Sequence, residues 1–181
     1  MVDEQNLDKH RHLPHLFDPK FNLHTLWHYL SQTGLATIFV FSMFLLLYEL
    51  GQLAIVAALG SSAFVVFAMP HKESSRPRYV VGGHVFCLLT GTALRLLTHG
   101  WLFKHIQVSA TLETIIACSL AIGCAIFVMV ITDTEHPPAA GTAVGTAIAD
   151  FSVEVAVTVV AGAILLSLGK FLLRRWLRDL V

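Results

Sequence analysis

The sequence predicts an all-α fold, a polytopic bundle of membrane-spanning helices, and two observations support this prediction. Hydrophobic residues make up 55% of the 181-residue chain and charged residues only 13%, a balance far more apolar than that of a soluble domain. Several apolar runs of about 20 residues also carry few charges, and this is the length that a helix needs to cross a bilayer. An integral membrane protein is therefore expected.

The charge balance excludes one class of partner. Lys and Arg together number 12, and Asp and Glu also number 12. Because the chain has no net charge and no basic stripe, we expect no nucleic-acid partner. The lipid bilayer is the partner that the composition predicts.

Three regions follow one another along the chain. Residues 1–30 form a polar, histidine-rich arm that ends in an amphipathic aromatic segment suited to the membrane–water boundary. Residues 31–175 form the transmembrane domain, and residues 176–181 form a basic tail. Five apolar runs are long enough to cross a membrane, at residues 31–49, 53–70, 79–97, 112–131 and 153–171.

The segment 137–149 is the ambiguous element. Its 13 residues make about 20 Å of helix, short of the hydrocarbon core of roughly 30 Å. If the segment crosses, the basic residues of the 72–78 loop and of the 170–178 end both fall on the cytoplasmic side, as the positive-inside rule requires. We therefore predict six crossings, one of them short, with both termini in the cytoplasm. The alternative is five crossings with a re-entrant 137–149 segment.

Six crossings would divide the membrane region into two halves of opposite orientation. The middle segment of the first half contains ALGSSA at residues 58–63, and that of the second half contains AVGTAI at residues 143–148. Inverted repeats with broken helices at matching positions are a recurrent transporter design. A 3+3 inverted repeat is one interpretation, and chance similarity over so short a stretch is the other.

The sequence HPPAAGTAVGTA contains the residues that make the short segment a candidate anion-binding site. Proline lacks an N–H and suits the first turn of a helix, so Pro137 and Pro138 predict a helix start beside His136. Free N–H groups at such a start attract anions, and a histidine there can donate a hydrogen bond or change charge near neutral pH. The other candidate residues are small or carry hydroxyls, namely Gly141, Thr142, Gly145 and Thr146. The alternative is a kinked helix whose small residues only pack.

The third apolar run has a polar stripe of its own. His84, Leu88, Gly91 and Arg95 are spaced to lie on one face of a helix. Ionisable residues within a span usually face the bundle interior, so His84 and Arg95 are candidate site residues. The alternatives are a packing histidine and an arginine that snorkels to the interface.

Two carboxylates next to the short segment would repel an anion. These residues, Asp133 and Glu135, follow the fourth run directly. We expect them to lie in loop water or to pair with Arg76 and Arg78, whose loop is predicted on the same side.

No metal or cofactor site is expected. His24 and His28 have the i, i+4 spacing of metal ligands on a helix, but no cysteine or carboxylate completes the set. The three cysteines lie inside apolar runs, which indicates a packing role. No nucleophile and base are convincingly spaced, so we expect no enzymatic activity and name no catalytic residue.

The order of several motifs resembles the HPP family of integral membrane proteins. The His-Pro-Pro motif stands at residues 136–138, and upstream lie GSSA at 60–63, Pro-Arg at 77–78 and Gly-His at 83–84. The resemblance extends over residues 30–175. It implies a small membrane domain, usually described as four-span, and plastid and cyanobacterial members are tied to nitrite transport. It also adds Gly60, Ser61, Ser62 and Arg78 to the candidate substrate-binding residues.

Together these observations predict a transporter or channel for a small inorganic anion, with nitrite as the leading candidate. The alternative is a membrane scaffold or sensor in which the polar stripe only packs helices. A chain of 19.9 kDa encloses a pathway most readily as a homo-oligomer, and we expect a dimer or a trimer. We expect a multi-pass protein of the bacterial inner (cell) membrane.

Overall fold

The computed structural model describes residues 26–47, 53–98, 109–150 and 152–181. All regular structure in these ranges is helical, and its α-helices are α1 Leu26–Leu47, α2 Leu53–Ala68, α3 Pro77–Leu97, α4 Ala110–Ile131, α5 Ala140–Ile148 and α6 Val153–Leu173. Two 3₁₀ turns, Glu73–Ser75 and Pro137–Ala139, precede α3 and α5. The predicted all-α fold is confirmed.

The lengths of the helices differ from those predicted. In the described ranges, α3, α4 and α6 are long and apolar enough to cross a membrane. Helix α2 has 16 residues and so reaches about 24 Å, less than the roughly 30 Å of a hydrocarbon core. The described helices therefore support a polytopic bundle without confirming five long spans. Helix α1 begins at Leu26, inside the segment that the sequence assigned to the arm.

Local sequence sets the ends of the helices. Pro77 occupies the first turn of α3, where a missing N–H is of no consequence. Ser109 and Ser152 cap α4 and α6, since each hydroxyl oxygen accepts a backbone N–H one turn further on, at 3.3 and 3.2 Å respectively. Helix α4 ends before Asp133, whose φ of 53° is left-handed and cannot continue the helix.

The short helix α5 packs against α2, α3 and α4. Its glycines face α2, because a Cβ built at Gly141 would lie 3.1 Å from the Ala58 Cβ. A Cβ at Gly145 would lie 3.2 Å from the Ala54 Cβ. Buried alanines of α4 form a second small-residue surface around α5. Small side chains thus let three helices approach α5 closely.

Helices α3 and α5 are in close contact at Gly91, and this contact supports a stability prediction. A Cβ at this position would collide with the Ala143 carbonyl oxygen and the Thr146 hydroxyl. Because part of the obstacle is backbone, Gly91→Ala should lower the free energy of unfolding by about 1–3 kcal/mol. The measurement is the melting temperature of the purified protein in detergent.

A matched control is available on α4. Nothing lies within 4 Å of a Cβ built at Gly123, so Gly123→Ala should leave stability unchanged or slightly raise it. Equal melting temperatures for Gly91→Ala and Gly123→Ala would contradict the close approach of α3 and α5.

One end of the bundle is marked by Arg78, and we term it the Arg78 end. Arg78, at the start of α3, forms an ion pair with Asp133, which follows α4, with 2.9 Å between nitrogen and oxygen. This confirms one of the pairings expected for the two carboxylates. Helices α2 and α6 finish at the same end, where the Leu180 N–H donates to the Ala68 carbonyl at 2.9 Å.

The C-terminal tail also packs at the Arg78 end. The amide nitrogen of buried Gln32, on α1, donates to the carbonyls of Phe67 at 2.5 Å and Arg178 at 2.7 Å. The amide oxygen of Gln32 accepts the Arg178 N–H at 3.0 Å. The tail therefore ties the start of α1 to the end of α2.

The opposite end is marked by Arg95, and we term it the Arg95 end. Arg95, near the end of α3, donates to the Ile148 carbonyl at 2.7 Å and forms an ion pair with Asp150 at 2.5 Å. Residues 132–136 enter the bundle from the Arg78 end without helical structure, and the 3₁₀ turn Pro137–Ala139 then leads into α5. His136 packs against Gly83 of α3. Helix α5 therefore begins inside the bundle and ends where α3 ends.

Candidate functional site

Four polar side chains from separate elements meet in the interior of the bundle. Each has a relative exposure of 0%, and they are Ser62 on α2, His84 on α3, His136 in the connection before α5 and Thr142 on α5. We term these four side chains, together with the Ser74 carbonyl that receives the last hydrogen bond, the histidine chain. Buried polar groups persist in an apolar interior only when they are hydrogen-bonded.

The histidine chain is continuous at hydrogen-bond distances. Ser62 Oγ lies 2.8 Å from His84 Nε2 and 2.9 Å from His136 Nε2, so one hydroxyl bridges the two rings. His84 Nδ1 lies 2.8 Å from Thr142 Oγ1, and His136 Nδ1 lies 2.7 Å from the Ser74 carbonyl oxygen. The two ring centroids are 5.4 Å apart. The chain joins α2, α3 and α5 to the loop before α3.

Elementary chemistry fixes the direction of every hydrogen bond in the chain when both rings are neutral. The Ser74 carbonyl only accepts, so His136 Nδ1 carries the proton and His136 Nε2 is an acceptor. The single Ser62 hydroxyl proton has two acceptors in reach, His136 Nε2 at 2.9 Å and the Ala58 carbonyl oxygen at 3.0 Å. The Ala58 carbonyl is already paired within α2, whereas His136 Nε2 would otherwise lack a donor, so the hydroxyl donates to His136 Nε2 and accepts from His84 Nε2–H. His84 Nδ1 is then an acceptor, and the Thr142 hydroxyl donates to it. All donors point from Thr142 towards Ser74.

The charge state of His136 differs from the sequence-based prediction. Burial lowers the pKa of His136 to about 4, and the hydrogen bond to the Ser74 carbonyl opposes this shift only in part. The lowered pKa disfavours the predicted change of charge near neutral pH, whereas the predicted hydrogen bond is made, to the Ser74 carbonyl. The physical reason is that the ring lies inside the bundle, where an imidazolium would lose its hydration.

The start of α5 also differs from the arrangement expected for an anion site. Pro137 and Pro138 have no N–H to offer, the Ala139 N–H donates to the His136 carbonyl at 2.8 Å, and the Ala140 N–H is used inside the turn. These positions therefore present no free backbone donors. The polar groups near this point are the side chains of the histidine chain.

The remaining residues of the short segment pack against neighbouring helices. Thr146 is buried, and its hydroxyl donates to the Thr142 carbonyl at 2.9 Å. Gly141 and Gly145 face α2, as described above. Of the predicted residues in this segment, only His136 and Thr142 join the histidine chain through their side chains.

The other candidates from the sequence divide into two groups. Ser62 and His84 belong to the histidine chain. Gly60 packs near Phe44 of α1, and Ser61 is exposed on the outer face of α2.

The two candidate arginines lie away from the chain. Arg78 and Arg95 are engaged in ion pairs at opposite ends of the bundle. The structure therefore separates them both from His84 and from each other.

The sequence analysis did not identify the loop before α3, which supplies the last acceptor of the histidine chain. Ser74 supplies the carbonyl for His136, and its neighbour Ser75 is fully buried. Lys170 of α6 donates to the Ser75 carbonyl at 2.9 Å and to its hydroxyl at 2.8 Å. Because Lys170 and Ser75 are 95 positions apart, a local sequence pattern does not indicate this contact. Within the described ranges, no group of three or more metal-ligating side chains occurs.

An all-helical bundle with long apolar helices and a buried polar centre defines a class, the polytopic helical membrane proteins. Within this class, a family model for the HPP transmembrane region matches residues 19–178. The match covers most of the sequence, so the chain belongs to the HPP transmembrane family.

Curated relatives support the membrane assignment. The chain is 27% identical over 89 residues to a transmembrane protein of the slime mould Dictyostelium discoideum, covering 49% of this chain and 28% of the relative. A second transmembrane protein of the same organism is 29% identical over 89 residues, with 49% and 26% covered. The chain thus matches less than a third of the length of these relatives. No solved structure matches.

Proposed function

We propose that this protein is a transporter or channel for a small inorganic anion, with nitrite as the leading candidate. The histidine chain is the observation that carries the proposal. It places N–H and O–H donors inside an apolar membrane domain, where an anion needs donors to replace water. Helices α2 and α5 contain no ionisable residue, so they carry no fixed negative charge that would repel an anion. The nitrite assignment comes from the family resemblance.

The proposed topology has six crossings, with both termini in the cytoplasm of a bacterial cell. The arrangement of the helix ends supports it, because α1, α3 and α5 start towards the Arg78 end and α2, α4 and α6 finish there. The contacts of Arg95 with Ile148 and Asp150 favour a crossing 137–149 segment over a re-entrant one. The 3+3 inverted repeat remains part of the proposal, since α2 and α5 are the shortest α-helices in the described ranges. We further propose a homo-oligomer, and we propose no enzymatic activity.

Single-cysteine labelling tests this topology. With the three native cysteines replaced, cysteines at the exposed positions Lys72 and Arg175 should react with a membrane-impermeant maleimide only from the cytoplasmic side. A cysteine at exposed Ala110 should react only from the opposite side. Labelling of the Lys72 and Arg175 positions from opposite sides would refute six crossings.

A second function is favoured by one observation. Every member of the histidine chain finds its hydrogen-bond partner within the chain, as expected of a network that holds helices together. On this alternative, the protein is a scaffold or sensor module and the chain is purely structural.

Anion uptake by proteoliposomes separates the two functions. The purified protein should mediate uptake of nitrite above the background of protein-free liposomes, and a panel of nitrate, formate and chloride would define selectivity. Nitrite should also raise the melting temperature of the detergent-solubilised protein, because a ligand that binds the folded state stabilises it. If no anion is taken up and none shifts the melting temperature, the scaffold alternative is correct.

A further inference from the structure

The histidine chain has a property that anion binding alone does not require. Two imidazoles share one hydroxyl, and the donors of the chain all point in one direction. A hydroxyl at 2.8 and 2.9 Å from two ring nitrogens can take a proton from one ring and give a proton to the other without large movement of heavy atoms.

The groups around the chain set the cost of adding a proton. Helices α2 and α5 contribute no ionisable side chain. Lys170 on α6 donates to the carbonyl and the hydroxyl of Ser75, the residue after Ser74. The carboxylates Asp133 and Glu135, in the connection before α5, are exposed, and Asp133 is paired with Arg78.

The other ionisable groups on the neighbouring helices lie away from the chain or are thiols. Arg95 of α3 is paired at the Arg95 end, and Glu154 of α6 is exposed. Three further groups lie on α3 and α4, namely Cys87 one turn from His84, Glu113 and Cys118. Cys124 is a further thiol on α4. Tyr79 of α3 donates from its hydroxyl to the Asp133 carboxylate at the Arg78 end. Glu73, directly before Ser74, is exposed and forms an ion pair with Arg76. The carboxylates nearest the chain in sequence, Glu73 and Glu135, are therefore directed to water rather than to the two rings.

An imidazolium without a counter-ion is strongly disfavoured in such an interior, and so is an anion without a cation. Burial lowers the pKa of His136 to about 4 for the same reason. Each ion removes the other's penalty, so the binding of the two must be mutually favourable, and this coupling is reciprocal.

We propose that the histidine chain binds one proton together with the anion, which makes the protein a proton–anion symporter. This inference rests on the proposed function and names its coupling ion. The anion lies beside the protonated chain, and the two ions cross together.

The proton step balances without any other reactant. An incoming proton forms an N–H bond at His84 Nδ1 as the Thr142 hydroxyl turns away. The Nε2–H of His84 then breaks and its proton forms an O–H bond on Ser62, while the original Ser62 proton forms an N–H bond on His136 Nε2. His136 finally releases its Nδ1 proton to water. One proton enters, one leaves, and no electrons are transferred.

Release at His136 requires movement of the loop before α3. The Ser74 carbonyl cannot pass a proton on, so water must take its place at His136 Nδ1. Ser74 is only half-buried, and the Lys170 contacts with Ser75 hold the loop in the closed position. The loop is thus the barrier between the chain and the water at the Arg78 end.

The test is the pH dependence of anion affinity, measured with sodium nitrite and, in parallel, sodium nitrate on the full-length detergent-solubilised protein. Linked uptake of one proton predicts that affinity rises up to about tenfold for each unit by which the pH falls. Isothermal titration in buffers of different ionisation enthalpy should report up to about one proton taken up per anion bound.

Two variants of neighbouring serines provide the comparison. Ser62→Ala removes the bridging hydroxyl and should abolish proton movement that accompanies nitrate uptake into liposomes loaded with a pH-sensitive dye. Ser61→Ala is the matched control, because Ser61 is exposed on the same helix and should behave like the wild type. Ser62→Thr keeps the hydroxyl and should retain proton movement. If Ser62→Ala does not fold, the pH dependence of anion affinity in the wild type still tests the proposal.

The outcomes distinguish this inference from the proposed function. Anion binding with no pH dependence and no proton uptake in the wild type would overturn proton coupling and leave anion transport intact. Wild-type proton movement in Ser62→Ala would also overturn the assignment to the histidine chain. No response to any anion at any pH would overturn both proposals.

Discussion

Replacement of His84 by alanine should produce the largest loss of stability among the substitutions considered for the bundle. The ring is fully buried and bonds Ser62 on one side and Thr142 on the other. Its removal leaves a cavity, deprives the Thr142 hydroxyl of its partner and removes one of the hydrogen bonds of Ser62. Cavity formation and unsatisfied buried polar groups together should lower the free energy of unfolding by about 3–5 kcal/mol. The expected result is a marked fall in melting temperature and in the yield of folded protein.

Leu89→Ala is the control for His84→Ala. Leu89 is on the same helix but is 59% exposed, so its truncation removes little packing within the protein. His84→Gln provides a second comparison, because the amide keeps a polar group near Nε2 and should recover part of the stability. If His84→Ala melts at the same temperature as Leu89→Ala, the histidine chain does not stabilise the bundle.

Acidification should destabilise the anion-free protein by a comparable amount. The pKa of His136 is lowered from 6.5 to about 4 in the folded state, so the unfolded state binds the proton more strongly. The contribution to stability is complete above pH 6.5 and is lost progressively as the pH falls to about 4. Its full size is about 3 kcal/mol. Melting temperature measured between pH 7.5 and pH 4 should therefore decrease, with the onset near the ordinary histidine pKa.

The variant His136→Asn separates this effect from the titration of other groups. Asparagine does not titrate, and its amide N–H can donate to the Ser74 carbonyl in place of Nδ1. The variant should be less stable than the wild type at pH 7.5 but lose less stability on acidification. A pH profile parallel to that of the wild type would show that His136 is not the group responsible.

Protonation of the histidine chain should have opposite effects on stability without and with a bound anion. Without an anion, protonation opposes folding, because the imidazolium has no counter-ion. With a bound anion, the same protonation should become favourable, so nitrite should restore part of the melting temperature lost at low pH. This restoration should be absent in Ser62→Ala if the bridging hydroxyl connects the two rings.

Much of the fold could be predicted from the sequence because the relevant signals are local. The apolar runs and their lengths predicted helices α3, α4 and α6. The prolines at 137 and 138 predicted the break before α5. The pairing of Asp133 with Arg78 also followed from loop sidedness. The start of α1 was misplaced because residues 26–30 are helical as well, although they include His28 and lie before the apolar run.

The candidate site could be predicted only in part. His84 and His136 were identified because a histidine in an apolar run and a histidine before two prolines are both unusual. Their connection through Ser62 was not identifiable, since Ser61 and Ser62 are chemically identical and only the rotation of α2 directs Ser62 inward. The same limitation applies to Thr142 and Thr146.

The sequence by itself determined the all-α class, the membrane environment and the family, because composition, run length and motif order are properties of the chain alone. The tertiary structure decided which polar groups meet and in what state. It engaged the backbone donors at the start of α5 and placed Arg78 and Arg95 at opposite ends. It also buried His136, which lowers the pKa of this ring. The physical reason is that hydrogen bonding and desolvation depend on neighbours 22 to 74 positions away in the sequence.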